Sequence, residues 1–156
     1  MVSGDDLRAL MRRFPAGVAV VTVDVRGERL GLTVGSFVSL SLEPPVVGVS
    51  VRREAALHEF LREASGFSVS LLAAGQEDVA AHFARGVPPI ALWVGVATRP
   101  GEGAPLLEGA LGWLKCRLSG ECEAGDHTLF LGEVVSVEAG SANRPLLYLD
   151  GRYVSP

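Results

Sequence analysis

Lysine, histidine and cysteine are all scarce in this 156-residue chain. Lys115 is the only lysine among 14 basic residues, and 18 acidic residues leave a formal net charge of −4. Without a basic excess the surface lacks the electrostatic footprint of a nucleic-acid or anionic-membrane binder. His58, His82 and His127 show no ligand spacing with one another or with the two cysteines, which argues against a protein-built zinc site. Cys116 and Cys122 lie six residues apart in what reads as one strand, roughly 20 Å at about 3.3 Å per residue. That exceeds the roughly 7 Å a disulfide spans, so both are expected as free thiols. Long hydrophobic runs are missing too: uncharged windows such as 30–42 and 86–98, which no other window exceeds, fall short of the roughly 20 apolar residues that cross a bilayer. Asp5, Asp6, Arg8, Arg12 and Arg13 exclude a signal-peptide core from the first 13 residues, so a cytoplasmic protein is expected. Neither a G-x-S-x-G elbow nor a P-loop is present, and Gly101-Glu102-Gly103 lacks the third glycine and the strand–helix context of a dinucleotide fingerprint.

Apolar residues, by contrast, make up 48% of the chain against 21% charged. This is a globular composition, expected as one domain over residues 1–156, with apolar surface to spare for a subunit interface. The stretch Gly31 to Pro45 organises the rest. At period two its even positions, Leu30, Leu32, Val34, Ser36, Val38, Leu40 and Leu42, are mostly apolar. The odd positions, Gly31, Thr33, Gly35, Phe37, Ser39 and Ser41, are mostly small or hydroxylated. The spacing predicts one strand over 30–42, whose small face either meets water or is kept clear for a flat, polar-edged ligand.

Before it, Leu7, Leu10 and Met11 mark a short amphipathic helix, and the β-branched run 17–25 forms a hairpin with the 30–42 strand. After it come an apolar strand over 46–51, a helix over 54–63, a strand over 67–72 and a helix over 76–84. Residues 86–109, rich in Gly and Pro, read as a long, partly ordered connection. Strands over 110–123 and 128–137 follow, then a short pair joined by Asp150-Gly151, a two-residue hairpin turn. About seven strands in hairpins, with two or three short helices, favour an antiparallel barrel over a doubly wound sheet.

Arg52-Arg53 stands between a strand end and a helix start, where free backbone N–H groups and the helix dipole favour an anion such as phosphate; pairing with Glu54 and Glu59 is the competing reading. Gly125-Asp126-His127 is a turn in which His is either surface decoration or functional. Phe83 and Arg85 read equally as a helix-face core residue with a surface charge or as ligand contacts.

In order along the chain, Met11 to Thr22, Gly31 to Pro45, Ser65 to Leu72, Gln76 to Ala84, Gly125 to Val134 and Pro145 to Tyr153 resemble the short-chain flavin reductases, which often serve as the small component of two-component flavin monooxygenases. The resemblance implies a mainly β fold with short helices, the FMN-binding antiparallel Greek-key split β-barrel, in a homodimer. It implies reduction of FMN or FAD by NADH or NADPH, with hydride passing from nicotinamide to flavin N5, and a partner monooxygenase that receives the reduced flavin. It places Leu32, Thr33, Val34, Gly35 and Ser36 along the isoalloxazine, Ser50, Val51, Arg52 and Arg53 at the ribityl phosphate, and Phe83 with Arg85 closing over the flavin. His127 takes the position associated with nicotinamide, with Tyr148 and Tyr153 near it. Gly35 departs from the Ser, Asn or Ala common in relatives, and Ser70 from Asn. A flavin- or haem-binding barrel without turnover is the alternative, separated by NADH oxidation. A pyridoxamine-phosphate-oxidase-like enzyme would need a second basic pocket that the sequence does not display.

Overall fold

The computed structural model describes residues 1–156. Helix α1 (Gly4–Met11) opens with a capping box, in which the Ser3 hydroxyl accepts the Asp6 N–H and the Asp6 carboxylate accepts the Ser3 N–H. Its apolar stripe, Leu7, Leu10 and Met11, faces solvent. The β-branched run becomes β2 (Ala19–Val25), buried along its length except at Asp24, because it lies between β3 (Glu28–Val34) and β6 (Gly66–Leu71) with helices over it. Arg26 and Gly27, at φ 53° and 85°, make the tight β2–β3 turn, where the Asp24 carboxylate accepts the Gly27 N–H.

The main sheet runs β3-β2-β6-β7-β8-β5-β4, with β4 at Val38–Leu42, β5 at Pro45–Arg52, β7 at Gly112–Ala124 and β8 at His127–Ala139. All its pairings are antiparallel. Its two edges, β3 and β4, are consecutive in the chain and separated only by Gly35-Ser36-Phe37. Four Cα steps reach at most about 14 Å, whereas the edges of a flat seven-stranded sheet would stand about 29 Å apart at about 4.8 Å per strand. The sheet therefore curls until its edges meet, leaving a seam where β3 is not laddered to β4 or β5. The closed interior holds Val21, Val23, Val49, Phe67, Val69 and Phe130, all essentially inaccessible. Helices α2 (Ala56–Glu63) and α3 (Glu77–Ala84) pack on β2 and β3. A small sheet, β1 (Ala16–Gly17), β9 (Leu147–Leu149) and β10 (Arg152–Val154), carries the Asp150-Gly151 turn at φ 53° and 75°.

Two expectations are corrected. The single strand over 30–42 is two strands, and its apolar face divides: Leu30 and Val34 enter the core, while Val38, Leu40 and Leu42 lie outside. The period-two pattern continues through the break, but crossing the seam changes which side it meets. The segment 86–109, expected as a long, partly ordered connection, is pinned at several points. It contains α4 (Pro89–Leu92), buries Leu92 and Leu107, and pairs Thr98 with Leu107. Arg99 grips Glu138 through two hydrogen bonds and lies 4.0 Å over the Trp113 ring. No helix is long and apolar enough to cross a membrane.

Candidate functional site

A cleft of about 420 Å³ opens beside the seam. Leu30, Gly31 and Leu32 of β3 form one wall, and Arg52 with Glu54 to Leu57, leading into α2, forms the opposite one. Phe83 is the floor, and Gly86 to Pro89 the far end. Because β3 is an edge strand, alternate N–H and C=O groups on its outer side have no strand partner, which suits a flat heterocycle with donors and acceptors along one edge. The volume falls within the roughly 300–1,000 Å³ of small-molecule sites.

At the α2 end, Ala55 occupies the N-cap without a side-chain hydrogen bond, which leaves the Ala56 and Leu57 N–H groups uncapped where these residues and Arg52 line the cleft. Glu54 lies 3.6 Å from Arg52 and competes with an incoming anion, although both side chains are well exposed. Arg53 is not at the cleft. It pairs with Glu123 at 3.6 Å, rather than with Glu59, and its N–H donates to the Asp126 carbonyl at 3.1 Å.

Register brings the next group in. Arg52 pairs directly with His127 across β5 and β8, so guanidinium and imidazole project from the same face of the sheet. His127 Nδ1 lies 2.7 Å from the Asp126 carboxylate, which can only accept; Nδ1 therefore carries the proton and Nε2 is left for a ligand. The hydrogen bond from His127, and then its charge, hold the Asp126 carboxyl below the usual carboxylate range.

The other expected contacts divide. Ser36 and Ser50 come together, since the Ser36 hydroxyl donates to the Ser50 carbonyl at 2.8 Å and accepts the Ser50 N–H at 3.2 Å. Leu32 lines the cleft; Gly35 instead lines a second groove of about 620 Å³ with Phe14, Phe37 and Tyr148. Thr33 spends its hydroxyl on the Ala80 carbonyl at 2.7 Å, tying β3 to α3, and the side chains of Val34 and Val51 point into the core. The small face thus meets neither water nor ligand throughout. Phe83 does not close over the cleft: it is buried at 1% exposure against Gly31 and Trp93. Arg85 is turned toward His82 at 3.4 Å, while its neighbours Ala84 and Gly86 face the cleft. Tyr148 and Tyr153 pack against each other in the small sheet with centroids 5.3 Å apart and rings tilted by 57°, and no hydrogen bond or ring contact joins either to His127. Burial, and then Tyr148, raise the Tyr153 phenol above its ordinary value. Sequence reasoning missed Ala55, Ala56 and the Val87-Pro88-Pro89 wall; small apolar residues carry no chemical signature, and only the curl of the sheet makes them neighbours.

Fold and site together define an open antiparallel barrel with an apolar cleft at its seam, one arginine and an uncapped helix end at the cleft mouth, and an acid-oriented imidazole beside them. Residues 11–156 match the model of the flavin reductase-like domain, and the chain belongs to that family. It is 42% identical to an NADH-dependent FAD reductase of Streptomyces globisporus over 94% of this chain and 82% of the relative. It is 41% identical to the reductase component of a Thermus thermophilus 4-hydroxyphenylacetate 3-monooxygenase, covering 92% and 90%. The structure of a Streptomyces globisporus NADH:FAD oxidoreductase in complex with NAD and FAD fragments superposes with a TM-score of 0.91 at 40% identity, covering 99% and 94%.

Proposed function

We propose that the chain is an NAD(P)H:flavin oxidoreductase that reduces FMN or FAD, works as one domain in the cytoplasm, and supplies reduced flavin to a partner monooxygenase. The direct pairing of Arg52 with His127 carries this reading, because it sets an anion-binding cation and an oriented imidazole on one face beside the seam cleft. When bound, the flavin accepts a hydride at N5 from C4 of the reduced nicotinamide. The chain's part is binding, orientation and exclusion of water. Arg52 and the α2 N–H groups would hold the flavin phosphate, and the free edge of β3 would hold the ring's polar edge. Phe83 and Val87 to Pro89 supply apolar floor and wall. His127, oriented by Asp126, would receive the nicotinamide carboxamide or ribose at Nε2. With Arg85 turned to His82, backbone N–H donors rather than that guanidinium would face the polar edge of the ring.

A second copy of the chain is the expected cover for Val38, Leu40 and Leu42, because an apolar edge strand left open invites association. Gly48 lets Leu40 and Leu129 close over β5; a Cβ there would stand 2.8 Å from Leu40. Leu42→Glu is expected to convert the dimer to monomer in sedimentation, and a wild-type monomer removes the dimer.

Steady-state NADH and NADPH oxidation, with no flavin and with FMN, FAD and riboflavin added in turn, tests the activity. Turnover that saturates with flavin supports the reductase. Flavin retained without turnover points to a binding protein instead.

A further inference from the structure

His58 is the one titratable side chain among the buried polar residues, at 2% exposure. It lies in the first turn of α2, directly after Ala55 to Leu57 of the cleft wall. Its Nε2 is 2.8 Å from the hydroxyl of Thr128, itself buried, and its ring packs edge-on against Phe130 with centroids 5.2 Å apart. Thr128 directly follows His127. Along β8 the side chains alternate, so Thr128 and Phe130 enter the core while His127 faces out beside Arg52. One imidazole therefore holds the first two inward residues of β8, immediately after the Gly125 turn at φ 62°. Its orientation is fixed at both nitrogens. Nδ1 lies 3.0 Å from the Glu59 carboxylate, which can only accept, so in the neutral ring Nε2 receives the Thr128 O–H.

We propose that His58 is a positioning residue for hydride transfer: by tying the start of α2 to the start of β8, it sets the separation between the cleft and the His127 imidazole. The link joins the residue after the cleft wall to the residue after the nicotinamide-orienting side chain. It is neither exposed to a ligand nor needed for either element to form, since α2 carries its own hydrophobic face in Leu57 and Leu61 and β8 is laddered on both sides. The inference rests on the reductase reading.

Four variants test it: His58→Leu, His58→Gln, Thr128→Val and the double His58→Leu/Thr128→Val. Removing one partner leaves a buried polar group unsatisfied, whereas removing both leaves an apolar contact, so the double variant should regain thermal stability lost by the singles. The expected result is an apparent KM for NADH raised about tenfold in both single Leu and Val variants and still raised in the double, with flavin Kd within about twofold throughout. His58→Gln, whose side-chain carbonyl can accept the Thr128 O–H, should return to within about threefold of wild type. Recovery of KM together with stability in the double variant overturns the proposal, as does an equal loss in flavin affinity. If His58→Leu does not fold, the isosteric Thr128→Val decides. A wild type that turns over NADH while Thr128→Val matches it removes His58 alone; a wild type inactive with every flavin removes the reductase reading.

Discussion

Ser36 and Ser50 close the barrel at its seam through a two-way clasp, the hydroxyl of one donating to the carbonyl and accepting the N–H of the other. Fourteen residues separate them, and the clasp holds the β3–β4 crossing against β5 where no strand ladder does. Ser36→Ala leaves both Ser50 backbone groups without that partner in a half-buried position, at a cost of about 1–3 kcal/mol. Urea unfolding should show this as a lower midpoint with an unchanged slope; an unchanged midpoint would make the clasp incidental.

The two adjacent arginines differ in placement and should differ in effect. Arg52→Met is expected to weaken FMN about tenfold or more, as for loss of a charge-assisted hydrogen bond, while leaving riboflavin, which has no phosphate, within about twofold. Arg53→Met, removed from the cleft by its Glu123 pairing, should change neither by more than about twofold. Calorimetric titration of the two flavins decides; equal losses of FMN and riboflavin in Arg52→Met would dismiss the phosphate role.

Gly31 lies against the Phe83 ring, where a Cβ would meet two ring atoms at 2.9 Å. Gly31→Ala should therefore cost about 1–3 kcal/mol through overpacking, and Phe83→Ala about 3–5 kcal/mol through the cavity it leaves. Both would be read by thermal melting without flavin. A Phe83→Ala protein of wild-type stability that had lost only flavin binding would restore the lid reading against the observed burial.

His127→Ala is expected to raise the apparent KM for NADH about tenfold while flavin Kd changes little, and Asp126→Asn to do the same more weakly by freeing the ring orientation. The hydrogen bond from His127 depresses the Asp126 carboxyl, so the pair stabilises the folded chain above the ordinary carboxylate value and loses that contribution as pH falls through the lowered one. The melting-temperature advantage of wild type over Asp126→Asn should thus be present near about pH 6 and shrink as pH falls below the ordinary carboxylate value. An advantage that grew with acid would reverse the assignment.

The Val87-Pro88-Pro89 wall contributes shape rather than charge. Pro88→Gly/Pro89→Gly should weaken all flavins alike, FMN and riboflavin included, because it loosens an apolar boundary without touching the anion end. A loss confined to FMN, seen in the same titrations, would contradict that.

By itself the sequence determined most of the strands and their turns, though not the break between Val34 and Val38. The β-branched run over Val18 to Val25, the Arg26-Gly27 and Asp150-Gly151 turns and the two long C-terminal strands are local physics, written in β-propensity and in residues that tolerate positive φ. It also contained the ordered motifs that resemble a flavin reductase, and with them Arg52 and His127, whose chemistry is visible in their residue types. The tertiary structure alone decided which groups meet. The seam exists because a three-residue crossing forces the edges of a seven-stranded sheet together, and that curl turns Thr33 and Ser36 to internal hydrogen bonds, sends Phe83 inside, and sets apolar residues from 30 to 89 around one cleft. Pairing Arg52 with His127, and His58 with Thr128, are likewise consequences of register between segments some 70 residues apart. Period and propensity act over a few residues, whereas register is set by the whole buried face at once.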